Sequence, residues 1–248
     1  MTPLDLTLLV LLAFAGSFIQ ALTGFALGLI VMGLASLLEL ASIPFLAAVV
    51  SMISMANGAW VLGRHPRAID WPQLGWMTLG LAPMIALGMA LLAWMNTAMP
   101  VLLQQLLGAV ILAAALVLFF RPHPLPRPSG AAAGLISGAA GGVLGGLFST
   151  AGPPIVFHIY RQPWDMARIR STLLAIFFLS TLLRLVVQIL RGEFEPAMLE
   201  AAAWCLFPVL LAAQFGARLT RHVPIVQMRR LAFALLAVSG LGLLLVRG

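Results

Sequence analysis

Charged residues and cysteine are scarce in this sequence. Only 8% of the 248 residues are charged, whereas 62% are hydrophobic, and the mean hydropathy is +1.09. Soluble domains carry about 25% charged residues, so an ordinary soluble fold is excluded. The single cysteine, Cys205, excludes an internal disulfide and any metal site built from several cysteines. Because no polar stretch is long enough for a soluble domain, residues 1–248 are interpreted as one integral membrane domain.

Lysine is absent, and the fourteen basic residues are all arginines, most of which lie in short clusters between apolar runs. This pattern is typical of membrane-protein loops and not of a nucleic-acid-binding patch, so we expect the lipid bilayer, and no nucleic acid, as a partner. No carboxylate lies in the interior of an apolar run. The group that usually couples transport to protons or sodium is therefore absent from these runs. No histidine–glutamate metal motif occurs. We therefore expect no metal and no cofactor, and a coupling ion, proton or sodium, stays open.

Six apolar segments have the length of about 20 residues that a membrane-crossing helix needs. They are bounded by proline, glycine and arginine, and they run from Pro44 to Gly63, Pro72 to Met95, Pro100 to Phe120, Ser171 to Leu190, Pro196 to Ala217 and Arg229 to Val246. Two further segments, residues 4–38 and 130–160, are too long for one span and are interrupted near the middle by polar and glycine residues. Each is either one long tilted helix or a hairpin that enters and leaves on the same side.

The distribution of arginines favours two hairpins. If all eight segments cross once, the loops on the two faces carry seven and six arginines, which is no bias. If both long segments are hairpins, one face carries eleven arginines and the other only Arg191 and Arg247. The positive-inside rule favours the second arrangement. It predicts that the arginine-rich face is cytoplasmic, that the protein lies in the cytoplasmic (inner) membrane as a multi-pass protein, and that both termini lie outside.

The same arrangement predicts internal symmetry. Each half of the chain, residues 1–121 and 130–248, becomes one hairpin followed by three crossings, an odd number, so the halves must be inverted relative to each other. The proline-rich residues 122–129 form the linker between them. The sequence therefore predicts an all-α polytopic membrane protein of two inverted repeats, each a broken-helix hairpin plus three transmembrane helices.

The stretch "STAGPP", residues 149–154, interrupts the second long segment. Pro153 and Pro154 cannot continue the preceding helix, Gly152 permits an unusual turn, and the prolines suit the first turn of a new helix. Broken helices are tolerated in a membrane only where protein or a water-filled cavity surrounds them. A helix N-terminus at such a place is a candidate anion site. The alternative is that these residues are only kinks and packing glycines.

Arg184 lies deep in the apolar run "STLLAIFFLSTLLRLVVQIL". An arginine inside a bilayer costs at least about 2.5–3.5 kcal/mol, and it is by default a functional-site hypothesis. Gln188 follows one turn later and Ser180 precedes by one turn, so the three share a helix face. The alternative is that Arg184 reaches toward the outer surface with its charged end.

Further polar residues have two interpretations each. Ser51, Ser54 and Asn57 are spaced to share one helix face, where they line a cavity or join helices by hydrogen bonds. His158 and Gln188 are further candidates for the cavity wall. His158 could carry a coupling proton there, but its position near the loop at Arg161 favours a structural role. Pairing of Ser149 with His158 in a hydrolase is disfavoured because no nucleophile motif and no third group accompany them, so we do not expect an enzyme.

Two stretches and one helix start carry a family resemblance. "GSFIQALTGFALGLIVMG" (residues 16–33) and "GGVLGGLFSTAGPPIVFHIYRQ" (141–162), followed by "RIRSTLLAIF" (168–177), resemble the paired motifs of the sulfite exporter TauE/SafE family of membrane permeases. Ala26 stands where many members carry another glycine. The matching motif positions are Gln20, Thr23, Gly24 and Phe25 in the first hairpin, and Ser149, Thr150, Gly152, Pro153 and Pro154 in the second.

The resemblance implies transport of a small anion, such as sulfite, sulfoacetate or another organosulfonate, thiosulfate or a carboxylate. We hypothesise a secondary transporter that holds the anion between the two breaks and works by alternating access, one half rocking against the other. Hydroxyls of Thr23, Ser149 and Thr150 would bind the anion, and Arg184 would offset its charge. Phe25 and Phe148 would gate the site or only pack beside it. An anion channel and a transporter of a neutral metabolite are the alternatives, and a homodimer stays open.

Overall fold

The computed structural model describes residues 1–23, 25–63, 69–120, 123–219 and 225–245. These residues form helices and connecting segments and contain no β-strand. The helices are α1 (Pro3–Thr23), α2 (Leu27–Leu37), α3 (Ile43–Leu62), α4 (Trp71–Ala98), α5 (Pro100–Phe120), α6 (Ala131–Phe148), α7 (Gly152–Tyr160), α8 (Met166–Leu190), α9 (Pro196–Leu219) and α10 (Ile225–Leu244).

Each of the six predicted crossings corresponds to one helix, from α3 to α5 and from α8 to α10. Seven helices in the described part are long and apolar enough to cross a membrane: α1, α3, α4, α5, α6, α8 and α9. By contrast, α2 with 11 residues and α7 with 9 residues are about 16 and 14 Å long at 1.5 Å per residue. A span needs about 30 Å, so neither crosses alone. The prediction of an all-α, multi-pass membrane protein is confirmed.

Both predicted breaks are present in the chain. Helix α1 ends at Thr23 and α2 begins at Leu27, while α6 ends at Phe148 and α7 begins at Gly152. In each pair the second helix packs back along the first. The linker meets the end of α7, because the Ser129 N–H donates to Oε1 of Gln162 at 2.9 Å. The start of α6 and the end of α7 are therefore neighbours, and the second long segment is a hairpin and not one tilted helix.

Helix packing across the two halves occurs in matching pairs. The contact of α1 with α9 corresponds to that of α6 with α4. The contact of α2 with α10 corresponds to that of α7 with α5, and the contact of α3 with α9 corresponds to that of α8 with α4. The remaining contacts between the halves include α3 with α8 and α5 with α10, which are equivalent helices in the proposed repeats. A two-fold relation between the halves would produce this arrangement. The inverted orientation of the repeats and their boundaries remain predictions.

The interface between α4 and α6 is the closest helix contact described. A β-carbon added to Gly138 would lie 2.0 Å from the carbonyl oxygen of Met77, and one added to Gly80 would lie 2.1 Å from that of Leu135. Only glycine permits backbones to approach this closely, as small residues do in many membrane helix pairs. Helix α6, which carries the second break, is therefore held firmly against α4.

Candidate functional site

A cavity of about 40 Å³ lies where the two breaks meet. One buried water needs at least about 10–15 Å³, so the space holds a few waters or one small ion. Its polar wall carries one carboxamide and five hydroxyl groups, from Gln20, Ser54, Ser149, Thr150, Ser180 and Thr181. Its apolar wall is formed by Phe25, Leu29, Leu174, Phe177 and Phe178. The cavity therefore combines hydrogen-bonding groups on one side with a hydrophobic surface on the other.

The two hairpins touch each other at this cavity. A β-carbon added to Gly28 in α2 would lie 3.5 Å from both the Ser149 carbonyl oxygen and the Thr150 β-carbon. One added to Gly152 at the start of α7 would lie 3.4 Å from the side chain of Leu29. These distances show that α2 and the turn before α7 are in van der Waals contact. The expectation that the breaks face each other agrees with this geometry.

Some of the N–H groups at the two helix starts are not available to a ligand. The N–H of Leu27, the first in α2, donates to Oε1 of Gln20 at 3.2 Å. In α7, Pro153 and Pro154 follow Gly152 directly and have no N–H. The helix dipoles still point their positive ends at the cavity. The cavity therefore offers side-chain hydroxyls as donors in addition to the backbone N–H groups that the sequence pattern indicated.

Each turn contains a residue in a backbone conformation that favours glycine. Ala26, just before α2, has φ 116°, and Ser149, just after α6, has φ 54°. Both side chains are buried. Such conformations cost about 1–3 kcal/mol for residues other than glycine and persist only where the surroundings impose them. In this conformation Oγ of Ser149 lies 2.7 Å from Oγ of Ser51 in α3.

Arg184 in α8 points into the protein, with only 2% of its surface exposed. The alternative of a side chain that reaches the outer surface is therefore wrong. Its Nε donates to the Gly146 carbonyl at 3.3 Å, and its Nη1 lies 3.2 Å from both the Ala47 carbonyl and Oε1 of Gln188. All of these acceptors are neutral. In the described part of the chain no carboxylate forms an ion pair with Arg184; the carboxylate of Glu193, beyond the end of α8, pairs with Arg191 at 3.7 Å and acts on the Arg184 charge only at longer range.

Ser51 in α3 connects this arginine to the cavity. Nη1 of Arg184 donates to Oγ of Ser51 at 3.1 Å, and that oxygen lies 2.7 Å from Oγ of Ser149. Ser51 itself is fully buried and does not line the cavity. The arginine charge is thus separated from the cavity wall by one hydroxyl group. Arg184 acts behind the wall and not as part of it.

The structure places the predicted site residues in three groups. Those at the cavity are Gln20, Phe25, Ser54, Ser149, Thr150 and Gly152. The residues that do not line it are Asn57, Phe148, Pro153, Pro154, His158, Arg184 and Gln188. The side chain of Thr23 and the whole of Gly24 lie outside the described residues.

The residues off the wall have other contacts. Phe148 is fully buried in the hydrophobic core, the Pro154 carbonyl accepts from Ser137 at 3.0 Å, and Gln188 donates to the Glu193 carbonyl at 3.0 Å. His158 bonds to Gln73 and Gln162 at the linker end of α7. This position agrees with a structural role for His158. It does not agree with the expectation that His158 lines the cavity. Asn57 is 2% exposed, and its Oδ1 has no hydrogen-bond partner among the described residues.

The contribution of α8 to the wall was not predicted. Five residues of α8 line the cavity: Leu174, Phe177, Phe178, Ser180 and Thr181. Of these, the sequence indicated only Ser180, through its spacing from Arg184. The available signal was that Ser180 and Thr181 precede Arg184 by about one helical turn. Nothing in the sequence distinguished the two phenylalanines from the lipid-facing residues around them.

Comparison with known proteins identifies the chain as a membrane transporter. A relative from Cupriavidus necator, named probable sulfite/organosulfonate exporter TauE, is 36% identical over 231 residues, 93% of this chain and 90% of that protein. One from Comamonas testosteroni, named probable inner membrane transporter protein TsaS, is 30% identical over 98 residues, 39% of this chain and 41% of that protein. No solved structure matches significantly. The model of the family described as sulfite exporter TauE/SafE matches residues 8–243, and the protein therefore belongs to that family of membrane transporters.

Proposed function

We propose that the protein carries a small sulfur-containing oxyanion, with sulfite as the first candidate, out of the cell across the cytoplasmic membrane. The observation that carries this proposal is the buried charge of Arg184, which forms no direct ion pair among the described residues and is separated from a hydroxyl-lined cavity by one hydroxyl group. The name of the Cupriavidus necator relative, a probable sulfite/organosulfonate exporter, points to the same substrate class.

The electrostatics of the cavity favour an anion over a neutral or cationic ligand. The charge of Arg184 and an anion bonded to Ser149 would lie roughly 8 Å apart. Two unit charges at this separation interact by about 2 kcal/mol at an effective dielectric constant of about 20. No acidic residue lines the cavity in the described part of the chain. A cation would therefore be repelled, and a neutral metabolite would gain nothing from the arginine. Hydroxyl donors and a carboxamide are suited to the oxygen atoms of a sulfite or sulfonate group.

The cavity size favours a compact anion. A volume of about 40 Å³ leaves no room for a long organic tail. An organosulfonate would place its sulfonate on the hydroxyl wall and its carbon atoms against Phe25, Phe177 and Phe178, which would have to move apart. Sulfite requires no such enlargement. We therefore expect sulfite to bind more readily than sulfoacetate in the conformation described here.

The cavity lies on the side of the breaks that we predict to be cytoplasmic. Ser54 and Gly58 follow Ser51 along α3, in the direction of the arginine-rich loop, while Leu174 and Phe177 precede Arg184 along α8, near that same face. On the other side, Arg184 joins α3, α6 and α8 through hydrogen bonds. This arrangement supports loading from the cytoplasm with the outer side closed. Opening outward would require these contacts to break.

Alternating access then involves units that differ from the two sequence halves. Rocking residues 1–121 against residues 130–248 would disrupt the close glycine contact of α4 with α6, one helix from each half. We propose instead that α6 moves together with α4, and that α1 moves together with α9. Each unit then contains a hairpin helix from one half and a crossing from the other. The cavity lies where these units meet α3 and α8.

No coupling ion is required for export. The cytoplasm is electrically negative, and moving one negative charge outward releases about 2.3 kcal/mol per 100 mV. The described spans contain no carboxylate at the cavity, and His158 lies away from it. We therefore propose export driven by the membrane potential and the substrate gradient, with proton or sodium coupling as the alternative.

Counterflow in proteoliposomes tests the proposal. Vesicles loaded with unlabelled sulfite are expected to take up labelled sulfite transiently and saturably, as a carrier does, and sulfoacetate is expected to compete less well. Single-channel currents carried by sulfite would favour the channel alternative. Counterflow of a neutral metabolite with no effect of sulfite would overturn anion transport.

A further inference from the structure

Three groups compete for Oγ of Ser51. This oxygen lies 2.7 Å from the Ala47 carbonyl, 2.7 Å from Oγ of Ser149 and 3.1 Å from Nη1 of Arg184. A hydroxyl has one hydrogen to donate and two lone pairs that accept. Arg184 can only donate, so it occupies one lone pair. Ser51 must therefore send its single hydrogen either to Ala47 or to Ser149.

The two choices have different consequences for the cavity. If Ser51 donates to Ala47, the hydroxyl of Ser149 is free to donate to Ser51, and Ser149 then presents only lone pairs to the cavity. If Ser51 donates to Ser149, the Ser149 hydrogen is released and can point into the cavity. The Ala47 carbonyl stays bonded in both cases, because it also accepts from Nη1 of Arg184 and from the helix N–H four residues later. The second arrangement therefore leaves no buried acceptor without a partner.

We propose that Ser51 is a positioning residue that transmits the charge of Arg184 to the bound anion, because its hydrogen turns from Ala47 to Ser149 when an anion enters. The hydrogen bonds then run in one direction, from Arg184 to Ser51, from Ser51 to Ser149 and from Ser149 to the anion. Hydrogen bonds in such a chain strengthen one another, and those with a charged donor or acceptor are about twice as strong as neutral ones. The inference rests on the proposed binding of an anion in the cavity.

A double-mutant cycle on the detergent-purified protein tests this chain, with sulfite as the probe and its Kd as the measurement. Ser51→Ala is expected to raise the Kd roughly five- to tenfold, since the Ser149 donor remains but loses its charged support. In the Arg184→Gln background, Ser51→Ala should change the Kd less than about twofold. Ser239→Ala is the matched control, because Ser239 is also fully buried and bonds to the Leu236 carbonyl of its own helix.

Two outcomes would overturn the inference. Equal Kd values for wild type and Ser51→Ala would mean that Ser51 only packs. Losses from Ser51→Ala and Arg184→Gln that simply multiply would mean that Ser51 acts independently of the arginine. If the wild type binds no sulfite, the proposed function itself is wrong. If the wild type binds sulfite and Ser51→Ala binds it equally well, only the inference about Ser51 is wrong. Ser51→Cys, which keeps the size but is a weak donor and acceptor, repeats the cycle if Ser51→Ala does not fold.

Discussion

Replacement of Arg184 by glutamine is the sharpest test of the charge behind the cavity. Nη1 lies 3.1 Å from Oγ of Ser51, which lies 2.7 Å from Oγ of Ser149, and an anion oxygen bonded to Ser149 lies about 2.8 Å further. The charge and the anion are therefore roughly 8 Å apart. At an effective dielectric constant of about 20, this separation is worth about 2 kcal/mol, or about 30-fold in the Kd. Arg184→Gln should weaken sulfite binding by that factor.

The same substitution should not destabilise the protein without ligand. Burying an unpaired charge is unfavourable by several kcal/mol, and glutamine removes the charge while keeping an N–H donor for the Gly146 or Ala47 carbonyl. We therefore expect an unchanged or higher melting temperature in the absence of sulfite. Arg184→Lys keeps the charge but loses the planar group that bonds several acceptors at once, so its Kd should lie between those of Arg184→Gln and wild type.

Thermal unfolding with and without sulfite measures this effect. A ligand at 100 times its Kd adds about 2.7 kcal/mol to the free energy of unfolding, and at the same concentration a 30-fold weaker variant gains only about 0.9 kcal/mol. Arg191→Gln, an exposed arginine just after α8, is the matched control and should keep the wild-type gain. Equal sulfite-dependent gains for Arg184→Gln and wild type would refute the electrostatic role of Arg184.

Three further predictions concern strain, packing and topology. Ala26→Gly should raise the free energy of unfolding by about 1 kcal/mol, measured by thermal denaturation, because φ 116° suits glycine; a lower melting temperature would contradict the strain. Gly138→Ala should lower the free energy of unfolding by more than 3 kcal/mol or prevent folding, because its β-carbon would lie 2.0 Å from a carbonyl oxygen of α4. The control Gly75→Ala, in α4, should fold normally because its β-carbon would have no neighbour within 4 Å. Cysteines at Arg127 and Arg191 should react with impermeant thiol reagents from opposite sides of the membrane, and labelling from one side would overturn the hairpin topology.

Features that depend on neighbouring residues were predictable from the sequence. Proline and glycine act on their own backbone, and both breaks accordingly fall where the polar and glycine residues interrupt the apolar runs. The depth of Arg184 followed from its position in a long apolar run. The hairpin interpretation followed from length and arginine counts, whereas the number of membrane crossings stays a prediction. These properties need no knowledge of which helices touch.

Features that depend on contacts between distant residues were not predictable. Ser51 and Ser149 are 98 positions apart, and Ser51 and Arg184 are 133 apart, so no local pattern relates them. For the same reason, the sequence could not show that His158 would bond to Gln73, 85 positions away. It also could not distinguish Phe177 and Phe178, which face the cavity, from apolar residues that face lipid.

The sequence by itself determined the class of protein, the interruption of two helices and the presence of one buried cation, because each is a property of local composition and of the bilayer as a solvent. Only the tertiary structure decided what these elements do together. The glycine contacts that hold α6 against α4, and the strained turn at Ser149, bring the two breaks to one cavity. They also place Arg184 behind Ser51 instead of on the cavity wall, because side-chain direction in a membrane protein is set by which helix lies opposite.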